Sequence, residues 1–149
     1  MFIFDDEYII IHVGDSKVFE IGEASRQLTK NHSINNLLTQ CIGVHSNLNP
    51  DIIYGRSNSS IYLICSDGLT NTLELEEIPQ IIDLRRIEKI SLISESLELP
   101  AILSEEQVRT ICTDLVLQAR LRGEVDNISL IMIVPVKEKK YSLSDREAG

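Results

Sequence analysis

The chain has few of the features that mark specialised classes of protein. It contains no run of about 18 apolar residues, the length that a membrane-spanning helix needs. Acids occupy residues 5–7, where a secretory signal has a basic region, so the sequence predicts no export. Basic residues number 14 against 23 acidic ones, and the net charge of −9 repels nucleic acid and anionic membranes. We therefore expect neither nucleic acid nor a membrane as a partner.

Cysteine is also scarce, and it falls in no metal-binding pattern. Cys41, Cys65 and Cys112 are odd in number, widely spaced and set among apolar neighbours, which indicates free thiols in a reducing compartment. The cytoplasm is the expected location. The sequence likewise lacks Gly-x4-Gly-Lys, His-Glu-x-x-His and Cys-x-x-Cys, so it offers none of these motifs for a competing chemistry.

What the sequence does contain is typical of a globular domain. Its 149 residues are 43% hydrophobic and 25% charged. These values predict one domain, able to bury roughly 68–70% of the surface of its unfolded chain. The predicted domain spans residues 1–136. Residues 137–149 are mostly polar and are expected to form a frayed C-terminal tail.

Three apolar runs end at, or begin after, an aspartate with small or polar neighbours. These strand-end aspartates are Asp15, Asp67 and Asp126. A carboxylate at the end of a buried strand loses solvation, which costs free energy unless a positive charge meets it. Taken singly, each segment is also common turn chemistry, because aspartate accepts hydrogen bonds from nearby backbone N–H groups. Taken together, the three carboxylates could converge on one cation.

Apolar patterning predicts strands in the first half of the chain. Strands are expected at 8–13, 17–21 and 26–29, as an antiparallel meander with a sharp break at Gly14–Asp15. The first strand is apolar on both faces, which is typical of a strand covered on both sides. Residues 30–60 are rich in Asn, Ser, Gly and Pro, and are expected to form a surface excursion.

The second half contains the clearest helix signal. A strand at 61–65 runs into a tight turn, and residues 73–103 are partly helical in pattern but ambiguous. Ser104-Glu-Glu-Gln107 is a capping box, and the apolar spacing after it predicts a helix that Gly123 closes. This helix leads into a last strand, over 128–134.

Other residues with chemical potential have simpler interpretations. His12 lies inside a strand and is expected to be a packed core histidine, whereas His32 and His45 lie in loops and are expected to be solvated. Cys65 is expected to be a buried, unreactive thiol, because no neighbour in sequence would lower its pKa. Arg85–Arg86 could meet a phosphate, but a solvated helix face is the favoured interpretation.

Five motifs in this chain resemble, in order and spacing, the later motifs of the PP2C-type, metal-dependent serine/threonine protein phosphatases. They are His12-Val-Gly-Asp-Ser16, Gln27-Leu-Thr-Lys-Asn-His-Ser33, Leu38-Thr-Gln-Cys-Ile-Gly43, Cys65-Ser-Asp-Gly-Leu69 and Gly123-Glu-Val-Asp-Asn-Ile-Ser129. Together they cover the chain from about Tyr8 to Val136. The chain thus resembles the C-terminal part of the family's catalytic domain, in its bacterial form.

The resemblance implies a fold and an activity. The fold would be α+β, an α-β-β-α sandwich of antiparallel sheets with flanking helices, with its N-terminal portion absent. The activity would be the hydrolysis of phosphoserine and phosphothreonine in a phosphoprotein substrate, by water that metal ions activate. Two or three Mn²⁺ or Mg²⁺ ions would be bound in the complete site, and such hard ions prefer oxygen ligands.

The resemblance also assigns roles to individual residues. Asp67 and Asp126 match the family's metal ligands, and Asp15 matches the aspartate that joins Asp67 at a more weakly held additional ion. Asn127 would not bind metal itself; it would contact the ligands or hold the backbone beside them in position. Ser66 and Gly68 are likewise expected to support the ligands rather than to bind metal.

Three departures from the family pattern leave the function open. The sequence contains neither an Arg-x-x-Asn-Glu-Asp strand, whose arginine grips the phosphate, nor an Asp-Gly-Met-Gly-Gly segment, whose aspartate bridges two ions. Asn31 also stands where an aspartate is usual. The chain is therefore interpreted either as an incomplete phosphatase of little activity alone, or as an inactive pseudophosphatase that binds a partner or phosphoprotein. An interaction domain with aspartate turns and no metal is the third interpretation.

An incomplete sandwich has a structural consequence. Strands that are apolar on both faces would expose an edge and a face if part of the sandwich were missing, and such surfaces favour association. We therefore expect either a homo-oligomer or a separate N-terminal segment that completes the fold.

Overall fold

The computed structural model describes residues 1–4, 7–22, 24–35, 37–44, 47–57, 60–82 and 103–134. The strands in this part of the chain are β1 (Phe2–Phe4), β2 (Glu7–His12), β3 (Lys17–Ile21), β4 (Arg26–Gln27), β5 (Ser33–Ile34), β6 (Leu37–Leu38), β7 (Asp51–Arg56), β8 (Ile61–Cys65) and β9 (Leu130–Ile133). The helices are α1 (Asp67–Thr70), α2 (Ile78–Ile82) and α3 (Glu105–Leu121).

Several predicted elements are confirmed. The strands at 17–21 and 61–65 have the predicted bounds. Helix α3 begins with the predicted capping box, in which the Gln107 N–H donates to Ser104 Oγ at 3.2 Å and the Ser104 N–H donates to Gln107 Oε1 at 2.7 Å. The expected tail at 137–149, the pair Arg85–Arg86 and His45 all lie outside the described residues.

The strands form two antiparallel sheets and a small hairpin, in agreement with the predicted α+β fold. One sheet has the order β1-β2-β7, and the other has the order β4-β3-β8-β9. The hairpin consists of β5 and β6. We call the first sheet the outer sheet and the second the inner sheet, because helices cover one face of the second and the first sheet covers its other face.

The predicted meander is wrong, because β2 and β3 lie in different sheets. The chain crosses between the sheets at the break that the sequence did predict, where Gly14 has a φ of 113°. That backbone conformation suits glycine, because a side chain there is strained. Strand β2 pairs instead with β7, which falls inside the expected surface excursion. Apolar patterning identifies a strand but does not name its partner.

Two clusters of buried side chains hold the layers together. The larger one joins the inner sheet to the helices, and it includes Leu63 from β8, Ile78 and Ile82 from α2, and Leu115 from α3. The smaller one lies between the sheets, and its buried members are Tyr8, Ile10, Val18 and Tyr62. Alternate residues of β8 therefore point to opposite cores, as expected for a strand covered on both sides.

The outer sheet is covered on one face only within the described part of the chain. Phe2, Ile11, Ile52 and Tyr54 on its other face are 65%, 57%, 53% and 70% exposed. The prediction that strand 8–13 is covered on both sides is therefore wrong, because Ile11 faces outward.

An ion pair connects α2 to α3. Arg122, which follows α3, donates two hydrogen bonds to the carboxylate of Glu77, at 2.7 and 2.9 Å. Glu77 directly precedes α2, and its carboxylate also accepts the Glu74 N–H at 3.0 Å. The hydrogen bonds from Arg122 and then from Glu74 hold the pKa of Glu77 at about 2, below the ordinary 4.5.

This pair predicts an acid-dependent part of the stability. A carboxylate whose folded pKa is lowered stabilises the fold above its unfolded pKa, and the contribution is lost as the pH falls through the folded value. When the pH falls from about 4.5 to about 2, the wild type should lose the contribution of this pair to its free energy of unfolding. Arg122→Ala, which lacks the pair, should lose less. The effect should be small and weaker in salt, because both side chains are partly exposed.

Urea unfolding at about pH 6 and about pH 2.5, in low salt, measures this difference. Arg109→Ala is a matched control, because Arg109 pairs with Glu105 within one exposed helix face of α3 and connects no two elements. The same acid response in wild type and Arg122→Ala would contradict the prediction.

Candidate metal centre

The three strand-end aspartates lie at one end of the inner sheet, although their carboxylates are not among the described groups whose ligand atoms lie within 4.8 Å of one another. Cys65 at the end of β8 pairs with Lys17 at the start of β3 and with Leu130 at the start of β9. Asp15 precedes β3, Asp67 follows β8 and Asp126 precedes β9. Because antiparallel neighbours start where the central strand ends, all three aspartates leave the sheet at the same edge.

A backbone N–H group restrains the Asp67 side chain. Asp67 is half-buried at the first residue of α1, and its Oδ1 accepts the Gly68 N–H at 2.9 Å. Its carbonyl oxygen accepts the Asn71 N–H at 2.8 Å, which closes the short helix. One carboxylate oxygen is therefore used by the backbone, and the other remains for a ligand.

Ser66 joins the Asp67 turn to the segment that carries Asp126. The Ser66 N–H donates to the Ser129 carbonyl at 2.9 Å, and the Ser129 N–H donates to Ser66 Oγ at 3.1 Å. Ser66 Oγ in turn donates to the Asn127 carbonyl at 3.2 Å. Gly68 packs against the same carbonyl, since a Cβ atom at Gly68 would lie 2.4 Å from Asn127 O.

The Asp126 segment is shaped by a residue that the sequence interpretation missed. Glu124 is buried, and its Oε1 accepts the N–H groups of Val125 and Asp126, at 3.0 and 2.8 Å. Asp126 is exposed, and its Oδ1 accepts the Asn127 N–H at 2.7 Å. The position of Glu124, directly after the helix-closing glycine, was the available signal for this role.

Lys17 is a second residue that the sequence interpretation missed. It directly follows the Gly14–Ser16 turn that carries the half-buried Asp15. Its Nζ donates to Thr70 Oγ1 at 2.6 Å and so connects β3 to the end of α1. No salt bridge among the described residues includes Asp15, Asp67 or Asp126, so Lys17 supports this end of the sheet through its hydrogen bond and not through an ion pair.

The donor set fits a hard divalent cation. The side chains at this edge offer carboxylate oxygens, which Mg²⁺ and Mn²⁺ prefer, and the nearby thiol is not a competing ligand. Burial raises the pKa of Cys65 to about 11, so this thiol stays protonated at neutral pH. Its predicted burial is confirmed.

A separate cluster contains His12, His32 and Asp51. One ligand atom from each lies within 4.8 Å of the others. His12 is buried, as predicted, but the expectation that His32 is solvated is wrong, because its side chain is 11% exposed and lies 3.2 Å from Asp51 Oδ2. Asp51 belongs to the strand β7 that the sequence interpretation missed, so the contact was not predictable from the motifs.

Comparisons with known proteins agree with this fold. No family model matches the chain. Among curated proteins, the chain is 33% identical over 102 residues to the protein phosphatase PhpP of Streptococcus pneumoniae, a match that covers 54% of this chain and 42% of that protein. The serine/threonine phosphatase of S. agalactiae matches 89% of this chain and 56% of its own, with a TM-score of 0.68 and 24% identity. Stp1 of Staphylococcus aureus matches 89% of this chain and 53% of its own, with a TM-score of 0.69 and 20% identity.

The fold is that of the bacterial PP2C-type serine/threonine phosphatases, and the resemblance drawn from the motifs is confirmed. The chain is a partial homologue of these proteins, because it spans only about half the length of the relatives it matches. Over the described residues, no helix has the length and apolar character needed to cross a membrane.

Proposed function

We propose that this chain supplies the carboxylates of a PP2C-type centre, which hydrolyses phosphoserine and phosphothreonine in a phosphoprotein substrate. The observation that carries the proposal is the strand pairing that puts Asp15, Asp67 and Asp126 at the same edge of the inner sheet. The homology to bacterial serine/threonine phosphatases supports the reaction class. The cytoplasm remains the expected location.

In this proposal Asp67 and Asp126 hold Mn²⁺ or Mg²⁺, and Asp15 with Asp67 holds a further, weaker ion. Such ions, when bound, supply an activated water and stabilise charge on the phosphoryl oxygens. Ser66 and Asn127 keep the two ligand segments in register through the Ser66 Oγ bond to the Asn127 carbonyl. Gly68 permits the close approach of those segments.

We expect the 149 residues alone to bind metal weakly and to turn over slowly. They contain no Asp-Gly-Met-Gly-Gly segment to bridge two ions and no Arg-x-x-Asn-Glu-Asp strand to grip the phosphate. Asp126 is also exposed, and an exposed carboxylate gives up more hydration when it binds an ion. A completing segment of different sequence would have to supply the missing groups, because a second copy of this chain lacks the same motifs.

A second candidate function is a pseudophosphatase that binds a partner or phosphoprotein without turnover. The exposed apolar face of the outer sheet favours it, because apolar faces of this kind mark interaction surfaces. Mn²⁺ titration combined with a turnover assay distinguishes the two candidate functions.

We expect Mn²⁺ to bind the purified chain with a dissociation constant in the millimolar range, and we expect Asp67→Asn and Asp126→Asn each to weaken binding roughly tenfold or more. Removing a charged ligand lowers affinity because the remaining oxygens hold less negative charge. Calorimetric titration measures the affinity, and Mn²⁺-dependent hydrolysis of an aryl phosphate measures turnover.

Asp114→Asn is the matched control, since Asp114 is an exposed aspartate on α3. Metal-dependent turnover that both site variants abolish would support the enzyme and exclude the pseudophosphatase. Binding without turnover would favour the pseudophosphatase. Mn²⁺ affinity that neither site variant changes would refute the aspartate site.

A further inference from the structure

We propose that His12, His32 and Asp51 form a second metal site, which binds a divalent transition-metal ion such as Zn²⁺. The site shares no residue with Asp15, Asp67 and Asp126. His12 at the end of β2 pairs directly with Asp51 at the start of β7, so their side chains lie on the same face of the outer sheet. His32 approaches from the loop before β5, and its ring centroid lies 5.1 Å from that of His12.

His12 presents an unused ligand atom. Its Nε2 lies 2.8 Å from the Ser16 carbonyl oxygen, which can only accept, so Nε2 carries the proton. Nδ1 therefore carries a lone pair, and it is buried without a hydrogen-bond partner on a residue that is 6% exposed. A buried acceptor without a partner destabilises the fold, and a bound ion would satisfy it.

The Ser16 contact is also the arrangement that metal-binding histidines use. A ligating imidazole donates its other N–H to a carbonyl or carboxylate, which fixes the ring and its tautomer.

His32 and Asp51 are held in place by the backbone. The His32 N–H donates to the Gly14 carbonyl at 2.8 Å, and the Gly14 N–H donates to His32 Nδ1 at 3.3 Å. The other ring nitrogen, Nε2, lies 3.2 Å from Asp51 Oδ2. His12 and His32 are thus both fixed by contacts to the Gly14–Ser16 turn. Asp51 is fixed by the pairing of β7 with β2.

Two imidazole nitrogens and one carboxylate oxygen define the class of ion. Imidazole suits Zn²⁺ and its transition-metal neighbours, whereas Mg²⁺ prefers oxygen alone. Three protein ligands leave one tetrahedral position for water. The ligand atoms lie within 4.8 Å of one another, and they must close to about 3.4 Å to share a tetrahedral Zn²⁺. Asp51 can make this movement, because its side chain is 39% exposed.

Metal binding at His32 is incompatible with the hydrogen bond from the Gly14 N–H to His32 Nδ1. An ion at His32 Nε2 takes the place of the proton that now faces Asp51, and a neutral ring then carries its proton on Nδ1. That proton faces the Gly14 N–H, so the bond at 3.3 Å is lost. Occupancy should therefore loosen the Gly14–Ser16 turn, which carries Asp15.

Zn²⁺ titration of the full chain against a chromophoric chelator tests the site, after accessible thiols have been blocked. We expect His32→Gln and Asp51→Asn each to weaken Zn²⁺ binding by roughly 10- to 100-fold. Both substitutions keep a similar shape, and thermal unfolding verifies that the variants fold. Co²⁺ should give visible d–d absorption without thiolate charge transfer, and Zn²⁺ should speed amide exchange at Gly14.

The double variant Asp67→Asn/Asp126→Asn separates this inference from the proposed function. It should lose Mn²⁺ binding and keep Zn²⁺ binding if both proposals hold. Zn²⁺ affinity that His32→Gln and Asp51→Asn leave unchanged would overturn the second site, and so would an absence of Zn²⁺ binding in the wild type. Neither of those results would bear on the aspartates.

Discussion

Gly68→Ala is expected to lower the free energy of unfolding by about 1–3 kcal/mol, the usual cost of overpacking a closely packed position. The added Cβ atom would lie 2.4 Å from the Asn127 carbonyl oxygen and 3.1 Å from its carbonyl carbon. Real Cβ contacts are never this short, so one of the two segments must move. Because Gly68 follows Asp67 and Asn127 follows Asp126, the movement separates the two proposed metal ligands.

Two features of the site make this movement costly. The Asn127 carbonyl also accepts the Ser66 hydroxyl at 3.2 Å, and the displacement would break that bond. The partner is backbone, which cannot rotate away as a side chain can. Alanine is favoured over glycine in a helix by about 1 kcal/mol, but α1 has only four residues, and this gain does not offset the clash.

Urea unfolding and Mn²⁺ titration measure the two consequences separately. Gly22→Ala is the matched control, because a Cβ atom at Gly22 would meet only Ser60 Oγ, at an ordinary 3.7 Å. We expect that control to unfold and to bind Mn²⁺ as the wild type does. Equal stability of Gly68→Ala and Gly22→Ala would show that the Asp67 and Asp126 segments are not packed together in solution.

The sequence predicted best where local chemistry decides the structure. The capping box at Ser104 satisfies the exposed N–H groups of α3 with side chains three residues apart, so it needs no distant partner. The strand at 61–65 is apolar on both faces and is in fact covered on both faces. Its neighbour Asp67 then lies where a strand ends, which the pattern also indicated.

Prediction failed where the answer depended on a distant segment. The apolar pattern of strand β2 would be the same with β3 or with β7 as its partner. The Gly14 break indicated a turn but not a change of sheet. Strand β7 was missed because turn-forming residues surround it in the stretch from 30 to 60. The contact of His32 with Asp51 depends on that strand, so the second cluster was not predictable either.

For the strand-end aspartates, too, the sequence predicted the residues but not their relative positions. The motif spacing selected Asp15, Asp67 and Asp126, but their common position follows from the pairing of β8 with both β3 and β9. The buried Glu124 carboxylate, which orders the Asp126 segment through two N–H groups, carried no recognisable motif of its own. Supporting residues of this kind become visible only when the backbone positions are known.

Tyr62→Ala is expected to be the most destabilising of the substitutions considered, at about 3–5 kcal/mol, the range for truncating a buried aromatic residue. Tyr62 is fully buried between the two sheets, and its ring meets that of Tyr8 edge to face, with centroids 5.5 Å apart. The buried part of this inter-sheet cluster has only four described members. Removing one of its two tyrosine rings leaves a cavity that the remaining side chains cannot fill.

The loss should separate the outer sheet, which carries His12 and Asp51, from the inner sheet, which carries Asp67. Urea unfolding measures the cost, with Tyr54→Ala as the matched control, because Tyr54 is 70% exposed on the outer face. We expect the control to change stability by no more than about 0.5 kcal/mol. If the two substitutions cost the same, the inter-sheet cluster does not hold the sheets together. A domain of this size has a typical stability of about 5–15 kcal/mol, so Tyr62→Ala is expected to remove between about a fifth and all of it.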